Sequence, residues 1–269
     1  MHADPLDPSA NDRPRRVARR GLGTRAPKRP DSRLIDWTGW LRLIERKRRL
    51  LSRAGAPAPE GPTGVNGDIS SCARGRPVRA LPDVVALTYS SFKLDGWDVT
   101  PQQVRGALSP SSTGRATPEL RSRQAQRLRN HASILHHIES SLRVGEPLKT
   151  HVVVRWFTHV SSGLTGSGLD DEVIARLDQV VRRINSPQLR LQPALMEICV
   201  VHADVQSEPL MPSYNGIVSR LLLRYHLGRC NLPPIVFDPA VDGPALSSPD
   251  DLLRTMLKRI EESYARLLA

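Results

Sequence analysis

From Leu81 onward, apolar residues recur at three- and four-residue spacing, and each run is cut by Gly, Pro or a Ser/Thr/Asp residue suited to capping. That single feature leaves helices as the building element, because a half-buried strand needs strict alternation instead. Leu81 to Leu94 is apolar and closes at Gly96. Thr100-Pro101 reads as an N-cap followed by Pro at the first helical position. Thr117-Pro118-Glu119 repeats that signal and opens a long helix to about Leu142, closed by Gly145. Further helices are expected over Thr150 to Val160, Asp170 to Ile184, Ser186 to about Val201, and Asn215 to Leu227 with its end at Gly228. A final one runs from Ser248-Pro249-Asp250 to Leu268. Pro234 to Phe237 is the one short stretch that reads otherwise. The fold class is all-α, with helices joined by short turns.

Charge divides the chain. Residues 1–80 hold 18 Arg/Lys against 8 Asp/Glu, while the whole sequence has a net charge of +12, so the basic character belongs to the front. Residues 1–33 lack periodicity and cannot bury enough apolar surface to offset their ordering entropy, so a disordered basic leader is expected. An amphipathic helix follows over residues 34–52. Ile35, Trp37, Trp40, Leu41, Ile44 and Leu51 can share one face, with Arg42, Arg46, Lys47, Arg48 and Arg49 on the other. Residues 53–80 are rich in Gly, Pro and Ser and read as a linker to a helical domain over 81–269.

No apolar run approaches the ~20 residues that span a bilayer, and no apolar segment follows the basic amino terminus, so the expectation is a cytoplasmic protein without a membrane partner. Cys72, Cys199 and Cys230 are far apart and fit neither a disulfide framework nor a zinc site. The histidines, among them His136, His137, His151, His159, His202 and His226, lack the i, i+4 spacing of helical metal ligands, so no metal site is expected.

Two stretches carry a resemblance. The first is Ser91-Phe92-Lys93-Leu94-Asp95-Gly96, followed by Trp97-Asp98-Val99-Thr100-Pro101. The second is Val201-His202-Ala203, then Tyr214-Asn215-Gly216-Ile217-Val218-Ser219-Arg220-Leu221-Leu222-Leu223, then Leu232-Pro233-Pro234-Ile235. Between them stand Asn130-His131-Ala132-Ser133-Ile134-Leu135 and Gly145-Glu146-Pro147-Leu148. Together they resemble the Fic (Fido) family, whose members transfer AMP from ATP to a protein hydroxyl. Asp95 stands where that family's inhibitory motif S/T-x-x-x-E-G has glutamate. The resemblance implies a Fic-like helical bundle over roughly 81–269. It also implies Ser91, Asp95 and Gly96 as an inhibitory-type motif, and Asn215, Gly216, Arg220 and Tyr214 as the nucleotide or anion site.

The loop H-P-F-x-D/E-G-N-G-R is degenerate here. Aligned on Asn215-Gly216, its histidine falls on Pro209, the next two positions on Leu210 and Met211, its carboxylate on Ser213, its first glycine on Tyr214 and its arginine on Ile217. A general base contributes typically 10²–10⁴ in rate, and Pro209 has no proton-transfer group. A carboxylate helps hold Mg²⁺ against the phosphates, which neutral Ser213 does less well. Tyr214 adds bulk where backbone N–H groups would approach phosphate. ATP with Mg²⁺ is therefore implied as a weakened ligand pair, and the AMP-transfer activity as lost or altered. An inhibitory role for Ser91 and Asp95 would call for an arginine at the position of Ile217.

Three functions follow as expectations. One is a degenerate Fic protein that retains a protein target or a nucleotide. A second is an enzyme of changed chemistry, with Glu208 or His202 as a replacement acid or base. The third is a nucleic-acid-binding module acting through residues 13–53. The glycine-rich segment Gly163 to Gly168 reads as a loop at the place where relatives dock their targets.

Overall fold

The computed structural model describes residues 37–55, 84–109, 123–161, 169–186, 191–208, 210, 214–243, 246 and 248–268. Among these the chain forms nine α-helices and no strand: α1 (Trp37–Gly55), α2 (Val84–Leu94), α3 (Pro101–Leu108), α4 (Arg123–Val144), α5 (Thr150–Ser161), α6 (Asp171–Asn185), α7 (Leu191–Ser207), α8 (Asn215–Arg229) and α9 (Pro249–Leu268). The fold is all-α. The expected leader over 1–33, most of the linker over 53–80, Cys72, Thr117-Pro118-Glu119, Gly163 to Gly168 and Pro187 lie outside the described residues.

The local signals set most helix ends. α3 opens with a complete capping box: the Gln103 N–H donates to Thr100 Oγ1 and the Thr100 N–H to Gln103 Oε1. Gly96 closes α2 at φ 81, with the Trp97 N–H bonded to the Phe92 carbonyl and the Gly96 N–H to that of Lys93. This crossed pair needs a left-handed residue, which glycine adopts without a Cβ penalty. Gly145 ends α4 in the same way. α6 carries Asp171 and Glu172 in its first turn and Arg182 and Arg183 in its last, matching the helix dipole at both ends.

α8 departs from its expected end. It runs through Gly228 to Arg229, and Asn231 takes the left-handed position at φ 53. Gly228 is instead a packing glycine: a Cβ there would lie 2.2 Å from Leu142 Cδ1 of α4. Pro234 to Phe237 is not a strand. Its carbonyls are held by side chains, Ser90 Oγ donating to the Phe237 oxygen and Ser263 Oγ to that of Pro234.

The interior forms two apolar clusters. Phe92, Leu128, Ile138, Trp156, Phe157, Leu177 and Ile184 anchor one, between α2 and α8 in chain order. Ile44, Leu195, Ile198, Leu252, Met256 and Ile260 anchor the other, where α1 and α9 meet the first half of α7. Each fully buried side chain of this size contributes about 1.5–3 kcal/mol. α7 and α8 belong to both clusters: Val201, Val205, Ile217 and Leu221 face the first, Leu195, Ile198, Leu223 and Leu227 the second. α8 is buried on nearly every side, as a central helix must be, and its buried polar residues Ser219, Arg224 and His226 come with it. Its amino terminus emerges from the turn after α7, where the sequence places its candidate site.

Candidate functional site

Asn215 is the first residue of α8, and its amide braces the turn. Its Nδ2 donates to the Val205 carbonyl at 2.7 Å, and its Oδ1 accepts the Leu210 N–H at 3.0 Å. Both polar ends are thereby used on backbone that precedes the helix. Pro209, Met211 and Ser213 lie outside the described residues.

Gly216 follows, and the reason for a glycine is geometric. A Cβ at that position would sit 2.1 Å from Asp95 Oδ1 and 3.1 Å from an Arg220 guanidinium nitrogen. The carboxylate of Asp95, at the end of α2, thus lies against the first turn of α8. A negative charge is favourable there, because the first N–H groups of a helix have no intrahelical partner. Arg220, one turn further along, holds it. Its Nη2 donates to Asp95 Oδ1 at 2.6 Å and to the Ser91 carbonyl at 2.6 Å, and its Nε donates to Ser91 Oγ at 3.1 Å. Both charged side chains are largely shielded from water.

The structure therefore brings Ser91, Asp95, Gly216 and Arg220 to one point, while Gly96 closes α2 next to Asp95 with open space where a Cβ would lie. The arginine that meets Asp95 is Arg220 and not a residue at the position of Ile217. Ile217 is 0 % exposed and belongs to the apolar core.

Tyr214 precedes α8 in the left-handed region, at φ 59. A bulky residue pays a steric penalty there. Its ring stacks on Trp97, with centroids 5.8 Å apart and planes 24° apart. The Arg127 guanidinium lies 5.1 Å from the Trp97 ring and 5.6 Å from that of Tyr214. Arg127 is 1 % exposed, and its Nε and Nη1 have no hydrogen-bond partner among the described residues. Sequence reading passed over Arg127 and treated Trp97 merely as continuing a motif. Neither carries a local signal, since what joins them to Tyr214 is tertiary packing.

The proposed replacement groups lie apart in character. His202 of α7 is buried, and its Nδ1 is hydrogen-bonded to Ser219 Oγ of α8 at 2.8 Å. Burial, reinforced by the Arg220 charge, lowers its pKa to about 3, so it is neutral at pH 7. Glu208 stands just past the end of α7 with its side chain 56 % exposed, in an ion pair of 2.7 Å with Arg176. It borders a surface cavity of about 180 Å³ together with Arg176, Arg183 and Asp204. A second, smaller cavity of about 30 Å³ lies between α2, α4 and α8, bordered by Ser91, His131, Arg220 and Arg224. It has room for a water or two.

Among the described residues, no group of three His, Cys, Asp or Glu side chains is placed to hold a metal ion. At α8 the Asp95 carboxylate, paired with Arg220, already takes the place at the helix start that favours an anion. Cys199 is buried, which pushes its thiol well above the usual range and disfavours a nucleophilic thiolate. No helix among the described residues is long and apolar enough to cross a membrane.

No protein-family model matches the chain, and no curated protein is significantly similar to it.

Proposed function

We propose that this chain is a Fic (Fido) relative in which the AMP-transfer centre has been replaced by an internal ion pair. On this reading it acts as a non-catalytic helical module and not as an adenylyltransferase. The observation that carries the reading is the seat of Asp95. Its carboxylate lies on Gly216 at the start of α8, gripped by Arg220, where an enzyme of this type would place the phosphates of ATP. The order of parts supports the kinship: an S-x-x-x-D-G helix end, a V-H-A helix, a turn, a second helix opening at Asn215-Gly216, and a proline turn after it. Loss of the base at Pro209, of the metal ligand at Ser213 and of the first arginine at Ile217 argues for lost catalysis. A protein target is the natural remaining partner.

The test uses ATP labelled on its α-phosphate, with Mg²⁺ and a mixture of proteins. The expected result is no label on this chain or on any target. Incorporation that depends on the wild-type chain would overturn the loss of catalysis. A companion measurement addresses kinship. Asp95→Ala removes the anion at α8, and ATP should then raise the thermal midpoint of the variant but not of the wild type. Ligand at 100 times its Kd adds about 2.7 kcal/mol. If ATP fails to stabilise Asp95→Ala, the start of α8 is not a former phosphate cradle.

One observation favours a second reading, that of an enzyme with changed chemistry. Glu208 borders the 180 Å³ cavity with Asp204 and two arginines. An enzyme working there would lose activity in Glu208→Gln while keeping its stability.

A further inference from the structure

The apolar face of α1 is used up. Ile44 is fully buried, and Trp40 and Leu41 pack on the cluster formed with α7 and α9. Lys47 Nζ is fixed to Glu261 of α9 at 2.8 Å. On the opposite side, Arg42, Arg46 and Arg49 are exposed and none has an ion-pair partner among the described residues. Their i, i+4, i+7 spacing sets them in one stripe about 10 Å long. α9, joined to α1 through the Lys47–Glu261 pair, carries exposed cations of its own. Lys258 and Arg254 stand three and seven residues before Glu261, on the same helix face, and both are exposed. Four guanidinium groups and one ammonium thus border this helix pair, against exposed Asp251 and partly buried Glu45 and Asp250, while Glu261 and Glu262 are paired with Lys47 and Arg259. In the sequence, residues 13–33, just ahead of α1, hold nine Arg/Lys against one Asp.

We propose that the exposed cations of α1, joined by those of α9, bind the phosphate backbone of a nucleic acid without reading its sequence. Each strand of a duplex carries a phosphate charge about every 3.4 Å of axis, so a stripe of about 10 Å spans three of them. Arginine suits such contacts because its planar fork donates two parallel N–H groups to phosphate oxygens. A bilayer surface fits less well. A membrane-lying helix must offer lipid an apolar face, and α1 has turned its own inward. Among the described residues, Leu50 is the one exposed large apolar side chain on α1. The inference does not depend on the Fic reading, since α1 and α9 lie outside the Asp95–Arg220 site.

The experiment measures binding of the full chain to a mixed-sequence DNA duplex and to a single-stranded RNA by fluorescence anisotropy, over about 50–200 mM salt. For the duplex, Arg42→Gln/Arg46→Gln/Arg49→Gln should make the log K against log[salt] slope shallower by about 2.7, at about 0.9 for each phosphate no longer neutralised. Arg254→Gln/Lys258→Gln should do so by about 1.8. On the RNA the same variants should flatten the slope by a smaller step, about 0.7 per phosphate. Arg105→Gln/Arg143→Gln, exposed cations on α3 and α4, should leave the slope unchanged. All of these variants keep the wild-type thermal midpoint, because the substituted groups are exposed. No binding to either nucleic acid at the low-salt end overturns the proposal. So does a triple variant with the wild-type slope, which would place binding in residues 1–36 instead. Binding to phosphatidylserine vesicles that is lost in the triple variant, with nucleic-acid binding unaffected, overturns it in favour of a membrane surface.

Discussion

A hydrogen atom on Gly216 is what lets Asp95 reach α8. Gly→Ala inside a helix ordinarily stabilises by up to about 1 kcal/mol. Here the added Cβ would lie 2.1 Å from Asp95 Oδ1, which Arg220 and Ser91 hold in place. The methyl displaces the carboxylate and leaves Arg220 without its counter-charge. Breaking a fully buried pair costs about 3–5 kcal/mol; with part of Asp95 still accessible to water, we expect Gly216→Ala to destabilise by about 1–3 kcal/mol, measured by denaturant unfolding. In Asp95→Ala the same substitution should be neutral or stabilising. That sign reversal is the coupling a double-mutant cycle reads, and additive effects would refute the contact. Arg127 yields a second prediction at this scale. A buried cation with no carboxylate partner among the described residues carries a desolvation cost that two aromatic rings offset in part. Arg127→Met should therefore be neutral or stabilising in thermal unfolding. A loss above about 3 kcal/mol would mean the guanidinium has a strong partner.

At the scale of the element, α8 is decided by its two ends. At its carboxy-terminal end Gly228 has the composition of a stop but is a packing residue under Leu142. The stop is Asn231, and asparagine tolerates the left-handed region better than most residues do. Its amino-terminal end rests on Tyr214, which is strained at φ 59 and repaid by Trp97 and Arg127. Tyr214→Ala should keep the strain and lose the stack, destabilising by about 2 kcal/mol. Tyr214→Gly relieves the backbone and should cost about 1 kcal/mol less than the alanine. Equal losses in urea midpoint for the two variants would show that the left-handed turn carries no strain. The expected helix limits fared best where the signal was local, as at Thr100, Gly96 and Gly145. α1 runs over Trp37–Gly55 where the sequence pattern places a helix over 34–52, and its Ile44, Trp40 and Leu41 pack inward.

Across the whole molecule, three histidines tie stability to pH. His131 in α4, His202 in α7 and His226 in α8 are buried, and burial holds each pKa at about 3. Arginine charges push the same way: Arg220 for the first two, Arg183 and Arg229 for His226. The folded pKa lies below the unfolded value of 6.5, so between pH 6.5 and 3 the unfolded chain binds more protons. The stability of neutral histidine is complete above pH 6.5 and is lost as pH falls towards 3. From pH 7 to 5.5 each histidine should remove about 1 kcal/mol, or about 3–4 kcal/mol for the three. Unfolding midpoints across that range test this, and a flat profile would place these rings in contact with water. His202→Asn should flatten the profile by about a third.

By itself, the sequence determined the helical class, the caps at Thr100, Gly96 and Gly145, and which face of α1 is apolar. Those properties depend on residues within a turn or two of one another, and the chain carries them at short range. What only the tertiary structure decided is that Asp95 meets Arg220 across 125 positions, that Ile217 faces the core, and that Tyr214 leans on Trp97 and Arg127. Such pairings follow from how α2, α4 and α8 pack together, and spacing along the chain does not encode them.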